Sequence, residues 1–330
     1  MSNLKKFIKP TIYVVLILFF FLLPLFVKET YFIHVLILVG INIILASSLR
    51  TIATTGQISL GHAGFMAIGG YTTAILVMKL GISSWAALLL GGIASAIIAL
   101  LVGFPFVRVK RVYFAMLTLF LGEIIRLVIT ELRAFTGGTS GLLNIPPPDS
   151  ISIGSLFIIT FDTKVAYYYF ILVLVLITLL ILYRIESSRI GRTLYSIQQS
   201  DFVAESVGIN VISLKVFVWC VGGFFAGIAG GFYAQFVRNL TPDSFGVMQA
   251  IYIVVYMVIG GRRKFFGAIL GASILTILPE IFRVLKEYEP FVFVGVLFLV
   301  IFLLPGGLVD LPQVITAQIR KHRKVESNDA

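Results

Sequence analysis

The residues able to do chemistry are few and widely spaced. Ser59 and His62 stand three apart in GQISLGHAGFMAIGGY (56–71), a hydroxyl beside an imidazole. A serine nucleophile needs a base and a third group that orients the base, and no acid is at hand, so this pair falls short of a catalytic set. Glu123 and Arg126 occur in FLGEIIRLV. At i and i+3 they share a helix face and can neutralise each other. Such a pair suits a polar lining for a zwitterionic solute or a self-paired packing element. His34, His62 and His322 are too scattered for a metal cluster, and neither HExxH nor paired Cys/His spacing occurs. Cys220 is the single cysteine and sits in an apolar run, where it reads as a small core hydrophobe and permits no intrachain disulfide. GxxxxGK[ST] is absent, so the chain cannot hydrolyse ATP by that route. No enzyme, metal or cofactor is expected.

The elements that carry these residues are membrane helices. The chain has 330 residues, 59% hydrophobic and 12% charged, with mean hydropathy +1.04. Soluble domains carry about 25% charged residues. The reading is an all-α, polytopic integral membrane helix bundle forming one domain over 1–330. Apolar runs place ten segments near 11–27, 31–49, 57–78, 84–107, 112–132, 165–183, 214–236, 247–261, 265–283 and 290–305. The first follows a basic start but lacks a small-residue cleavage site, so it is expected to remain as a span. Segment three is glycine-broken and segment eight is short.

Charge tests this count. With a cytoplasmic N-terminus, 18 of the 26 Lys and Arg fall inside, at Lys5–Lys9, Arg50, 108–111, 184–192, Lys215, 262–264 and 320–324. The other 8 fall outside or near outer span ends. This asymmetry supports ten spans with both termini cytoplasmic. The net charge of +11 then reflects topogenic loops and anionic lipid headgroups, with no nucleic acid as partner. At about 1.5 Å per residue, Glu123 lies about 16 Å from the inner end of its span, near the bilayer centre. Glu280 and Arg283 are expected at an interface.

Two polar connections stand out. The outer one, 133–164, carries TGGTSGLLNIPPPDS and reads as a loop. The inner one, 184–213, is helical between Gly191 and Gly208, with Leu194, Ile197, Ala204 and Val207 as its apolar positions in a partly amphipathic pattern. Small residues mark close packing. Gly223, Gly227 and Gly231 form two GxxxG steps, and Gly267 with Gly271 forms another. Gly61, His62 and Gly64 belong to a segment that either lines a pathway or lets backbones approach.

Five ordered blocks carry a family likeness: GQISLGHAGFMAIGGY, VRVKRVYFAMLTLFLGEIIR (107–126), TGGTSGL (136–142), SRIGRTLYSIQQSDFVAESVGIN (188–210) and AGIAGGFYA (226–234). In this order they resemble permease subunits of branched-chain amino acid ABC importers, and the M-type more than its H-type partner. The resemblance implies a second homologous permease subunit, two cytoplasmic ABC ATPases and an extracytoplasmic solute-binding protein that delivers Leu, Ile or Val. The location it implies is a bacterial or archaeal plasma membrane. It makes 184–213 the coupling element, with Asp201, Ala204, Glu205 and Gly208 in the coupling block. The chain departs from the pattern at Gly260-Gly261-Arg262-Arg263-Lys264, at Arg111 and at Gln198-Gln199. These departures lie on the cytoplasmic side and bear on which ATPases match. An importer of urea, amides or other amino acids is the runner-up. An ion-coupled carrier is disfavoured, because the deep spans offer essentially one ionisable pair where relays use several.

Overall fold

A computed structural model describes residues 20–24, 26, 29–153, 157–262, 264–282, 294–295, 298, 302 and 306–310. Expected segments one and ten and both termini fall wholly or largely outside the described residues, as does Arg263. The helices are α1 Thr30–Ala53, α2 His62–Leu80, α3 Ser84–Phe106, α4 Arg111–Glu131, α5 Arg133–Thr136, α6 Lys164–Ser187, α7 Arg189–Gln199, α8 Asp201–Ser206, α9 Val211–Val237, α10 Val247–Gly260 and α11 Phe265–Phe282.

Among the described residues, seven segments are long and apolar enough to cross a membrane: Thr30–Ala53, His62–Leu80, Ser84–Phe106, Val112–Glu131, Lys164–Ser187, Val211–Val237 and Pro242–Gly260. Phe265–Ile281 is a shorter apolar helix. Together they coincide with expected segments two to nine. Contacts sort the helix ends into two sets. Arg50 meets Glu186, Gln57 meets Val107 and Val109, and Lys215 meets Asp201 at one end. Lys79 meets Ala134, Ser84 meets Asp149, and Leu142 pairs with Leu240 at the other. This is the alternation that the charge pattern requires of those segments.

Four expectations are corrected. Segment three was expected over 57–78, but its helix starts at His62, and residues 57–61 run as irregular backbone. Segment eight was expected over 247–261, yet a 3₁₀ turn, Pro242–Phe245, extends it outward. The outer connection is not pure loop: it holds α5, a 3₁₀ turn at Gly138–Ser140, and an antiparallel pair of strands. These are β1 Ile151–Ile153 and β2 Phe157–Ile159, with Ile151 opposite Ile159, so the bundle is not strictly all-α. The inner connection is shorter than expected, since α6 runs to Ser187 and α9 begins at Val211.

At the centre, α2, α3 and α9 touch backbone to backbone. A β-carbon on Gly69 would strike the Gly227 carbonyl, and one on Gly230 would strike the Met66 carbonyl. One on Gly91 would lie 2.7 Å from the Gly69 carbonyl oxygen, and one on Gly223 would lie 3.0 Å from the Ala99 methyl. Lipid tails are as apolar as leucine, so helices in a membrane gain little by hiding apolar side chains from them. Association comes from close van der Waals contact, which small residues allow. Gly271 likewise brings α11 onto the Tyr256 carbonyl of α10. By contrast, Leu89, Ile97 and Leu101 of α3 face outward.

Gly69→Leu is expected to force α2 and α9 apart, a cost of at least about 1–3 kcal/mol, and to abolish monodisperse protein in detergent size-exclusion chromatography. Leu101→Ala, on the outward face, is expected to leave the profile unchanged. A monodisperse Gly69→Leu protein with an unshifted thermal midpoint would contradict this packing.

Candidate functional site

The end of the bundle that carries the excess of basic residues gathers the broken segment 54–61, the α7–α8 hairpin and the start of α4 around a cleft of about 670 Å³. Gly56, with φ +84°, turns the chain out of α1 in a left-handed conformation that favours glycine. The chain beyond it is held by side chains. Both Nε2 hydrogens of buried Gln57 are used, donating to the Val107 and Val109 carbonyls at 3.0 and 2.9 Å. The Leu60 amide donates to Thr118 Oγ1 at 2.9 Å. Irregular backbone at membrane depth survives only where protein satisfies its polar groups; Thr118 does that for Leu60, and Gln57 does it for the turn after α3.

Ser59 and His62 are not brought together. The Ser59 hydroxyl accepts from the Gly61 amide at 3.2 Å, while His62 Nε2 lies 2.8 Å from Ser48 Oγ on α1. His62 is fully buried and its Nδ1 has no partner among the described residues. Gly61 and Gly64 abut α4: a β-carbon on Gly61 would lie 2.5 Å from the Thr118 carbonyl oxygen, and one on Gly64 2.9 Å from Gly122 Cα. These three residues sit inside helix contacts.

In a small core, the inner hairpin packs Ile197 and Ala204 against Val211 at the start of α9. Ser200 breaks it in two: extended backbone ends α7, and its hydroxyl accepts from the Val203 amide to cap α8. That break rotates α8, so the four coupling-block residues divide. Ala204 is 2% exposed, and Asp201 turns back to pair with Lys215 of α9 at 2.7 Å. Glu205 and Gly208 face outward. Gly208 has φ +82° and open space where a β-carbon would sit. Of the four apolar positions read in the sequence, Leu194, Ile197 and Ala204 are buried and Val207 is 71% exposed; Phe202 and Val203 are 80% and 61% exposed.

Sequence reasoning missed the anchor of this hairpin. Arg50 of α1 donates to Glu186 of α6 through Nη1 at 2.6 Å and Nη2 at 2.8 Å. The Tyr195 hydroxyl of α7 donates to the same carboxylate. Burial, and then the adjoining Glu186 carboxylate, push that hydroxyl up to about 12, so it keeps its proton at neutral pH. The available signal was isolation: Arg50 is the only Asp, Glu, Lys or Arg between Glu29 and Lys79.

On α4, Glu123 and Arg126 do pair, with Arg126 Nη2 2.5 Å from Glu123 Oε1. Arg126 Nη1 also reaches Asp243, 2.9 Å away on the turn before α10, a partner not foreseen. The three groups lie beside an outward apolar row on α4 that includes Met116, Phe120, Ile124 and Leu127. Among the described residues no group of three or more His, Cys, Asp or Glu could hold a metal ion.

Residues 31–304 match the family described as branched-chain amino acid transport system / permease component. The high-affinity branched-chain amino acid transport system permease protein LivM of Salmonella typhimurium is 28% identical over 296 residues, covering 84% of this chain and 68% of that protein. LivM of Escherichia coli is 27% identical with the same coverage. The LivH permease of Salmonella typhimurium is 26% identical over 273 residues, covering 78% of this chain and 87% of that protein.

Gln57→Leu is expected to strand two carbonyls and lower stability by about 1–3 kcal/mol, seen as a fall in the thermal midpoint in detergent. Gln57→Glu should fall further, since a carboxylate would face two acceptors. Equal midpoints for all three proteins would overturn the role given to Gln57.

Proposed function

The chain belongs to the family of branched-chain amino acid transport system permease components, and from that premise we propose that it is the M-type, membrane-spanning subunit of an ATP-driven importer. It works in the plasma membrane of a bacterium or archaeon, with an H-type permease subunit, two cytoplasmic ATPases and an extracytoplasmic binding protein that hands over Leu, Ile or Val. Energy must reach it mechanically, because the sequence holds no phosphate loop.

The observation that carries this reading is the outward face of α8. Phe202, Val203 and Val207 stand exposed beyond the membrane helices, on a hairpin tied to the bundle through Tyr195 and Asp201. Covering a large apolar side chain is worth about 1.5–3 kcal/mol, so three adjacent ones make an effective docking face. In this reading Phe202, Val203, Glu205 and Val207 enter an ATPase groove. Asp201 and Ala204 hold the hairpin's shape, and Gly208 turns the chain back towards α9. Arg262 and Phe202 line the same cleft, while Lys264 pairs with Asp310, so Arg262 is the basic departure placed to bear on matching of the ATPase.

Gly61, His62 and Gly64 build the route rather than line it, because each is enclosed by α1 or α4. The mixed charges of Glu123, Arg126 and Asp243 suit a zwitterionic solute, which brings one charge of each sign. The second permease subunit closes the route against the outward row of α4.

Phe202→Asp combined with Glu205→Arg is expected to leave membrane insertion intact and to cut ATP-dependent leucine uptake in vesicles at least tenfold, the scale of one lost interface hot spot. Unchanged uptake would remove the coupling assignment. Glu123→Gln is expected to lower uptake several-fold with a normal yield of complex. Full uptake in that variant would leave the pair as a packing element only.

A further inference from the structure

We propose that Arg50, Glu186 and Tyr195 form a positioning clasp, which makes the α7–α8 hairpin and helix α1 move as one body and so delivers the ATPase stroke to the start of α2. The proposal rests on the coupling reading above and adds the route by which force leaves the hairpin.

Four elements meet at the clasp. Arg50, 1% exposed, comes from the inner end of α1, and Glu186 from the inner end of α6. Tyr195 comes from α7, and the Phe265 ring at the start of α11 lies 5.6 Å from the guanidinium carbon. Two parallel N–H···O bonds fix the direction of the guanidinium as well as its distance, which a lysine's point charge cannot do. A buried ion pair is a weak means of gaining stability, because desolvation offsets most of the attraction. What it does supply is registry. Beside the packing of Ile197 and Ala204 on Val211 of α9, the hairpin's other polar ties among the described residues are the Lys215–Asp201 pair to α9 and a 3.5 Å contact from Gln198 to the Ala53 carbonyl. Neither prevents the hairpin from pivoting against α1.

Beyond the clasp the contacts run on without a gap. Ser48, two residues before Arg50, meets His62, the first residue of α2. Gly61 and Gly64 bear directly on Thr118 and Gly122 of α4, and Gly122 precedes Glu123. Displacement of Glu186 and Tyr195 is thereby passed to the helix that carries the charged triad.

The test uses the complete complex, with both permeases, the ATPases and the binding protein, in proteoliposomes. The readout is leucine transported per ATP hydrolysed. Glu186→Gln and Arg50→Lys are expected to keep their ATPases on copurification and to lower that ratio about tenfold, and the exchange Arg50→Glu with Glu186→Arg to restore much of it. Tyr195→Phe, which loses one hydroxyl only, guards against failure to fold and is expected to lower the ratio about twofold. Unchanged ratios in these variants, or an exchange variant no better than the single ones, would overturn the clasp. Phe202→Asp separates the two ideas. If it releases the ATPases while the clasp variants transport normally, the coupling reading stands and the clasp alone is wrong.

Discussion

Everything in this bundle depends on two helix backbones lying in contact, with no side chain between them. Gly69 of α2 against Gly227 of α9, and Gly230 against the Met66 carbonyl, leave no room for a β-carbon. In a membrane this contact replaces the hydrophobic drive that packs soluble cores. It also sets the position of α2 along α9, and so where the chain must leave regular helix to get from α1 to α2. The irregular stretch at 54–61 follows from that geometry. Its amides at 54–56 are met by the end of α1, that of Leu60 by Thr118 and that of Gly61 by Ser59. Gln57 in turn satisfies the carbonyls of Val107 and Val109, as a low-dielectric setting demands.

The inner surface shows how a transport subunit without a phosphate loop can be built to be driven. The hairpin packs Ile197 and Ala204 on Val211 of α9, pairs Asp201 with Lys215 of α9, and bonds Tyr195 to the Glu186 carboxylate that Arg50 of α1 holds by two bonds. Its remaining side chains are free to present an apolar face. In the proposed reading, holding and docking are divided between residues that are neighbours in sequence: Asp201 and Ala204 turn in while Phe202, Val203 and Glu205 turn out. A family block aligned by position alone would assign all of them one role.

Much of this architecture was legible in the sequence, for physical reasons. Hydropathy and the bias of Lys and Arg locate segments two to nine, because both report directly on the bilayer. The GxxxG faces of α9 and α11 are legible because glycine at that spacing has few other uses in lipid. The start of α2 was not legible. The glycines of the segment mark it as broken, but nothing in the sequence says where within 57–78 the helix begins. The separation of Val207 from Leu194, Ile197 and Ala204 was hidden because Ser200 interrupts the helical period that groups them. Arg50 was read as a topogenic charge, since its partner Glu186 lies 136 residues away and no local pattern links the two. For the same reason Asp243 was not foreseen beside Arg126.

The central claim is that this chain is moved by ATP hydrolysis in partner subunits, and that no ion gradient drives it. The most direct measurement is radiolabelled leucine accumulation in proteoliposomes holding the complete complex and external binding protein, with ATP enclosed and the proton gradient collapsed. The account expects accumulation that continues under these conditions and stops when a non-hydrolysable ATP analogue replaces ATP. Accumulation that persists with the analogue, or that fails once the proton gradient is removed while ATP is held constant, would contradict it.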